Sequence, residues 1–274
     1  MNSNTISSRN AGFWDELCGT QLAKSLGIVD NTPQSLKRFD EWYFNFYPYL
    51  NQHIPFDKFL SRDVLEIGVG YGTVSQRLAE SGARYTGLDI ARGPVDMVKH
   101  RLRQNNLSGE ARQGSILEPP FAPESFDAIV AIGCLHHTGD LQRAINQCFR
   151  LLRPGGKLIF MVYYAYSYRR FRQAPLATLK YLMREKFGYR GCVGPSSERE
   201  RAAYDAGSSG AGAPHTDWIS VRSLQEYCAG FSQFSASLEN IDQEWPFRSK
   251  SRQVLLKTSW PSRCGLDLYA TVTK

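Results

Sequence analysis

Apolar positions along this chain fall into two alternating rhythms. Val64, Leu65 and Ile67 form a short run of strand type, and Thr73 to Ser81 then carries Val74, Leu78 and Ala79 at helical spacing. Tyr85 to Leu88 is the next strand. Pro94 to Asn105 predicts a helix with proline near its first turn and Val95, Val98 and Leu102 facing inward. Glu110 to Gln113, Phe126 to Ile132 and Lys157 to Val162 supply a third, fourth and fifth strand. Asp140 to Leu152 is the helix before the fifth strand, with Leu141, Ala144, Ile145, Cys148, Leu151 and Leu152 on one stripe, ended by RPGG at Arg153 to Gly156. Alternation of this kind predicts a doubly wound α/β sheet.

The flanks follow other patterns. Trp14, Leu17 and Leu22 precede a break near Asn31 to Pro33, after which Leu36, Phe39, Trp42, Tyr43, Phe46 and Tyr47 recur at helical spacing until Pro48. Between Ala165 and Pro214, Leu176 to Phe187 predicts a helix, whereas GCVGPSS and AGSSGAGAP are loop material. Ser220 is the expected N-cap of a helix to Ala229, followed by strands at Phe234 to Leu238 and Leu266 to Val272. A chain of 274 residues accommodates one domain with additions. The expected division is a helical cap over 1–60, a core over 61–164, a basic and aromatic insertion over 165–219, and a closing helix and strands over 220–274.

Gly68, Gly70 and Gly72 form a GxGxG turn between the first strand and the following helix. Without a Cβ, such residues let the backbone turn sharply and let a ligand lie against main-chain N–H groups at a helix N-terminus. Asp89 stands at the end of the second strand, where a carboxylate accepts the hydroxyl hydrogens of a ribose. A dinucleotide fingerprint would place a third glycine where Thr73 stands, and Glu66 beside the turn would repel a pyrophosphate. Glu66 instead suits the ammonium of an amino-acid moiety, which points to S-adenosylmethionine.

With LEIGVGYGT at Leu65 to Thr73, TGLDI at Thr86 to Ile90, SFDAIVAIGCLHHT at Ser125 to Thr138 and LLRPGGKLIFMVY at Leu151 to Tyr163, the chain resembles the class I S-adenosylmethionine-dependent methyltransferases, in particular the small-molecule type with an LHH motif after the fourth strand. FWDELCGT at Phe13 to Thr20 and YPYL at Tyr47 to Leu50 resemble the lead-in of one branch. The resemblance implies a Rossmann-like, seven-stranded sheet closed by an antiparallel hairpin, an N-terminal helical lid to which Trp14 or Tyr43 contributes, and a helical insertion after the fifth strand. It implies that Glu66, Gly68, Gly70 and Gly72 bind the amino-acid end of the cofactor and Asp89 its ribose. Ile90, Ser115, Ile116 and Ala131 would border the rest, Ser115 standing where the family has Asp. His136 is the expected general base or a tether for the loop and cofactor, Tyr163 is a second catalytic candidate, and His137 begins the next helix.

The net charge of +7 gathers largely between Arg169 and Arg201, where Tyr163, Tyr164, Tyr166, Tyr168, Arg169, Arg170, Phe171 and Arg172 interleave aromatic and basic residues. This pattern admits a stacking platform for single-stranded nucleic acid, or a helical cap over a substrate cavity. HTDW at His215 to Trp218 offers a His/Asp pair and reads more simply as a cap and loop. Six scattered cysteines without CxxC imply reduced thiols in a cytoplasm rather than zinc or disulfides, and no metal is implied. The polar start and the absence of a long apolar run indicate neither secretion nor a membrane span. The expected activity is methyl transfer to O or N of a small molecule such as a natural product, sugar or aromatic intermediate. The alternatives are RNA or protein methylation through the basic insertion, and a cofactor-binding scaffold without catalysis.

Overall fold

The computed structural model describes residues 3–17 and 20–274, with side chains for 6–15 and 23–274; the side chains of Leu17, Cys18 and Leu22 lie outside the described residues. Eight strands are present among the described residues: β1 Asp63–Ile67, β2 Arg84–Asp89, β3 Glu110–Gln113, β4 Phe126–Ile132, β5 Leu152–Tyr164, β6 Trp218–Ile219, β7 Gln233–Glu239 and β8 Asp267–Thr273. They lie in the order β3-β2-β1-β4-β5-β8-β7, and β6 pairs β5. β1 to β5 are mutually parallel, while β8 runs antiparallel to both β5 and β7. The expected Rossmann-like sheet and its closing hairpin are therefore present, with the two-residue β6 as an eighth strand.

Sheets covered on both faces read as nearly continuous apolar runs, which is why β1, β4 and β5 are so apolar. Leu65, Ile129, Leu158 and Phe160 enter one core together with Leu141, Ala144, Ile145, Cys148 and Leu151 of the helix Leu141–Leu151. Asp140 caps that helix by accepting the Arg143 N–H at 3.0 Å. Val64, Val130 and Ile159 enter the opposite core, beside Val74 and Leu78 of the helix Thr73–Glu80 and Val95, Val98 and Leu102 of the helix Arg92–Gln104. The strand order reverses between β1 and β4, so a crevice opens at their carboxyl ends, where ligands bind in open α/β sheets.

RPGG does not separate helix from strand as its composition suggests. Leu152 already pairs with Phe126, and an irregularity in register follows before Lys157 pairs with Ala128. The closing helix stops at Tyr227, although its N-cap Ser220 is the expected one. HTDW supplies β6: Trp218 and Ile219 pair with Tyr163 and Tyr164. The segment after β5 folds into helices at Tyr168–Gln173, Pro175–Lys186 and Glu198–Ala202.

Of the helices before β1, the two longest pack on the core. The helix Ser3–Leu17 lies over the crevice, where the Asn10 amide donates to the His137 carbonyl at 2.6 Å and the Asp15 carboxylate accepts the Gly93 N–H at 2.6 Å. The helix Pro33–Phe46 is tied to the core through Asp40, which accepts hydrogen bonds from Thr73 and from the fully buried Arg101. No helix among the described residues is long and apolar enough to cross a membrane.

Candidate functional site

Two cavities share a wall. The first, with about 800 Å³ of empty space, lies at the carboxyl ends of β1, β2 and β4 and is lined by Gly68, Gly70, Asp89, Ile90, Ser115 and Ile116. Six of the ten residues expected to hold the cofactor thus converge on one cleft. Leu88, Gly114, Ile132, Gly133 and Cys134 complete its walls, and Asn10 and Trp14 reach it from the N-terminal helix. The other four expected residues do not line it. Glu66 alternates with Leu65 and Ile67 along β1, so it points to the other face of the sheet, where Ser75 and Tyr85 donate hydrogen bonds to its carboxylate. Ala131 is sealed in the core, Gly72 packs on Arg101, and His136 is fully buried.

The glycines divide by task. A Cβ at Gly68 would come within 2.4 Å of the Cys134 Cβ, and one at Gly72 within 2.8 Å of the Arg101 side chain, so both permit close packing as well as their positive φ. Gly70, at φ +53°, has nothing within 4 Å of the position its Cβ would take. That free volume adjoins the cavity and suits a ligand approaching the backbone. Gly70→Ala is therefore expected to leave the thermal midpoint within a few degrees while weakening cofactor binding about tenfold, as read by calorimetric titration.

Asp89 is buried at the cavity edge. One carboxylate oxygen accepts the Val69 N–H at 2.8 Å and the other the Ala91 N–H at 2.9 Å, which fixes the acid and leaves lone pairs for further donors. Burial pushes its pKa up to about 6, against the hydrogen bonds that favour the charge. A fixed acid at the end of β2, the open approach at Gly70 and apolar flanks at Ile90 and Ile116 fit the ribose, amino-acid end and adenine of S-adenosylmethionine. Burial raises Glu66 further, to about 8. A carboxyl raised from its unfolded value stabilises the fold fully below that value, near 4.5, and loses the contribution as pH rises through 8. Glu66→Gln is expected to shrink the difference in urea unfolding free energy between pH 6 and pH 9, an effect on the order of a few kcal/mol.

The second cavity, with about 1130 Å³ of empty space that opens to solvent, meets the first at Trp14, Ile132 and Gly133. Its walls carry Tyr43, Tyr47, Tyr163, Tyr204 and Tyr269, with Arg169, Asp205, Asp242 and Asp267 among them. Both Trp14 and Tyr43, the aromatic candidates of the N-terminal segment, line this space, as does Tyr163. Asp205 went unnoticed in the sequence, since an acid in a glycine-rich loop carries no signal of its own.

His137, not His136, links the two cavities. Leu135–His137 is one 3₁₀ turn rather than the start of a helix, and neighbouring residues on such a turn point about 120° apart. His136 packs tilted against Tyr163 at 4.2 Å between ring centres, lines neither cavity, and burial holds its imidazole well below the usual range. His137 lines the first cavity, and its Nε2 lies 3.5 Å from Asp205 Oδ2 on the second. Its Nδ1 is 2.7 Å from the His215 carbonyl oxygen, which only accepts, so the neutral ring carries its proton there and turns a bare Nε2 toward Asp205. Tyr163 donates its hydroxyl hydrogen to Asp205 at 3.0 Å. Burial lowers the His137 pKa and raises that of Asp205, leaving a pair with room for one more proton.

The basic and aromatic segment turns the arginines at its start toward carboxylates of the protein. Arg169 and Arg170 are buried; Arg169 pairs with Asp242 and Glu244, Arg170 with Glu200, and Arg172 with Glu244. His215 and Asp217 of HTDW lie 3.2 Å apart, yet neither lines either of these two cavities.

The family described as Methyltransferase domain matches residues 65–160. A ubiquinone biosynthesis O-methyltransferase of Coxiella burnetii is 36% identical over 101 residues, which are 36% of this chain and 42% of that protein. The chain thus spans about two fifths of the length of that curated relative. Among solved structures, a putative S-adenosylmethionine-dependent methyltransferase from Listeria monocytogenes superposes with a TM-score of 0.57 at 15% identity, covering 84% of this chain and 96% of that one. One from Mesorhizobium loti gives 0.54 at 15% identity, covering 83% and 97%. Residues 65–160 thus match a methyltransferase domain, and the sheet order and fold are those shared with solved S-adenosylmethionine-dependent methyltransferases.

Proposed function

We propose that this protein transfers a methyl group from S-adenosylmethionine to O or N of a small molecule seated in the second cavity. The junction of the two cavities at Trp14, Ile132 and Gly133 carries this reading, because a donor in one and an acceptor in the other face each other across it. When bound, S-adenosylmethionine supplies an electrophilic methyl carbon on a sulfonium, which requires little of the protein beyond alignment and exclusion of water. Gly68 and Gly70 would hold its amino-acid end, Asp89 its ribose, and Ile90, Ser115 and Ile116 its adenine.

The chain's own contribution lies at the junction. His137 and Asp205, rather than His136, together accept the proton that an acceptor hydroxyl or ammonium must lose. Tyr163 orients Asp205 through its hydroxyl and walls the acceptor space with its ring. The Coxiella relative carries the name of an O-methyltransferase, in keeping with a small-molecule acceptor. An RNA or protein acceptor is less favoured because Arg169, Arg170 and Arg172, the arginines that interleave with aromatic residues, are held in internal ion pairs.

Incubation with S-adenosylmethionine labelled in its methyl group and an extract of the native host tests this directly. Label is expected in the small-molecule pool. Label confined to RNA or protein would overturn the acceptor class, and calorimetric binding of the cofactor without any transfer would leave a scaffold.

A further inference from the structure

A chain with a net charge of +7 places three aspartates on the walls of its second cavity. Asp242 is matched by Arg169 at 2.6 Å and Arg252 at 3.2 Å. Asp205 and Asp267 are not: among the described residues no lysine or arginine lies within ion-pair distance of either. Asp267 is 2% exposed, and Tyr49 approaches it with its hydroxyl at 3.5 Å. Arg169, the cation on the same wall, gives its guanidinium to Asp242 and Glu244.

Buried carboxylates without a cation are costly, and they persist where a function uses them. Tyrosine rings surround these two, and the faces of such rings attract cations as well. The buried Nε2 of His137 has no hydrogen-bond partner and faces Asp205, a second sign that the space is built to receive a proton-bearing group.

We infer that the acceptor is a small molecule carrying a basic amine, drawn in as its ammonium by Asp267 and Asp205 and methylated on that nitrogen. The inference rests on the methyl-transfer reading and narrows it. A neutral polyol would donate hydrogen bonds to these acids but bring no cation to either, and an anionic acceptor would meet like charge wherever they are ionised. Burial holds Asp267 at about 7, so an incoming ammonium also favours its ionised form. The ammonium first loses one proton to the Asp205–His137 pair. The freed lone pair then forms the nitrogen–carbon bond while the carbon–sulfur bond breaks and leaves its electron pair on sulfur. The product is the methylated ammonium and S-adenosylhomocysteine.

The test divides the small-molecule extract by cation exchange and supplies each fraction with labelled cofactor. Label is expected in the retained, amine-bearing fraction, on nitrogen by mass spectrometry, and selective N-acetylation of the extract should abolish it. Equilibrium dialysis with S-adenosylhomocysteine in place of the donor should enrich compounds from the same fraction without turnover. Asp267→Asn should raise the amount of retained fraction needed for half-maximal labelling more than tenfold, with cofactor affinity unchanged within about twofold as the check on folding. Label in the neutral or anionic fraction, or on oxygen, overturns the amine and leaves methyl transfer standing. No label in any fraction, with the cofactor bound, overturns methyl transfer itself.

Discussion

His137→Ala is expected to lower kcat by about a hundredfold or more, the range that a positioned proton acceptor supplies, with cofactor affinity changed only severalfold. Asp205→Asn should fall as far, because an amide cannot take the proton that the pair shares. The two substitutions combined should cost little more than either alone, since residues that act as a unit do not add. His136→Phe is the control. It keeps an aromatic ring against Tyr163, and because the native ring touches neither cavity, kcat should stay within a few-fold of wild type. A large loss in His136→Phe beside a small one in His137→Ala would return the proton-accepting role to His136.

For cofactor binding the largest expected effect is at Asp89. Asp89→Ala removes a carboxylate whose hydrogen bonds to ligand hydroxyls are of the charged kind, roughly 1.5–3 kcal/mol each. It also releases the Val69 and Ala91 N–H groups that this acid holds. A Kd raised about a hundredfold or more by calorimetric titration is the expected result. Asp89→Asn, which keeps one acceptor oxygen, should fall between the two. Because burial sets the Asp89 pKa at about 6, wild-type affinity should also weaken as pH drops through that value, where the acid gains its proton and loses acceptor capacity. Asp89→Ala should show no such weakening. An unchanged Kd in Asp89→Ala would remove the ribose from this corner of the cleft.

The core was open to sequence reasoning where short-range chemistry governs it. β3 and β4 begin and end at the expected residues, and the stripe from Leu141 to Leu151 is buried as its spacing implies. Glu66 shows that the same rules held unused information: the period of two along β1 already turned it away from the face that Ile67 presents to the cleft. The histidines are a different case. Whether Leu135–His137 continues as an α-helix or closes as a 3₁₀ turn decides which imidazole meets the cavity, and residue identity does not settle that. The insertion was the least legible part because distant partners organise it. Arg169 finds its carboxylates 73 and 75 positions away, and Asp205 meets His137 only once both chain segments have folded. Such pairings leave no periodic trace.

Trp14 is shared by both cavities and rests against His137 at 4.7 Å between ring centres. A ligand that fixes this indole from one side spares the next ligand the same loss of freedom. On the reading that donor and acceptor fill the two spaces, this shared wall is where their occupancies would be linked. Linkage of this sort is reciprocal: whatever factor the donor contributes to acceptor affinity, the acceptor returns to the donor. One indole, placed so, would carry whatever coupling the two spaces have.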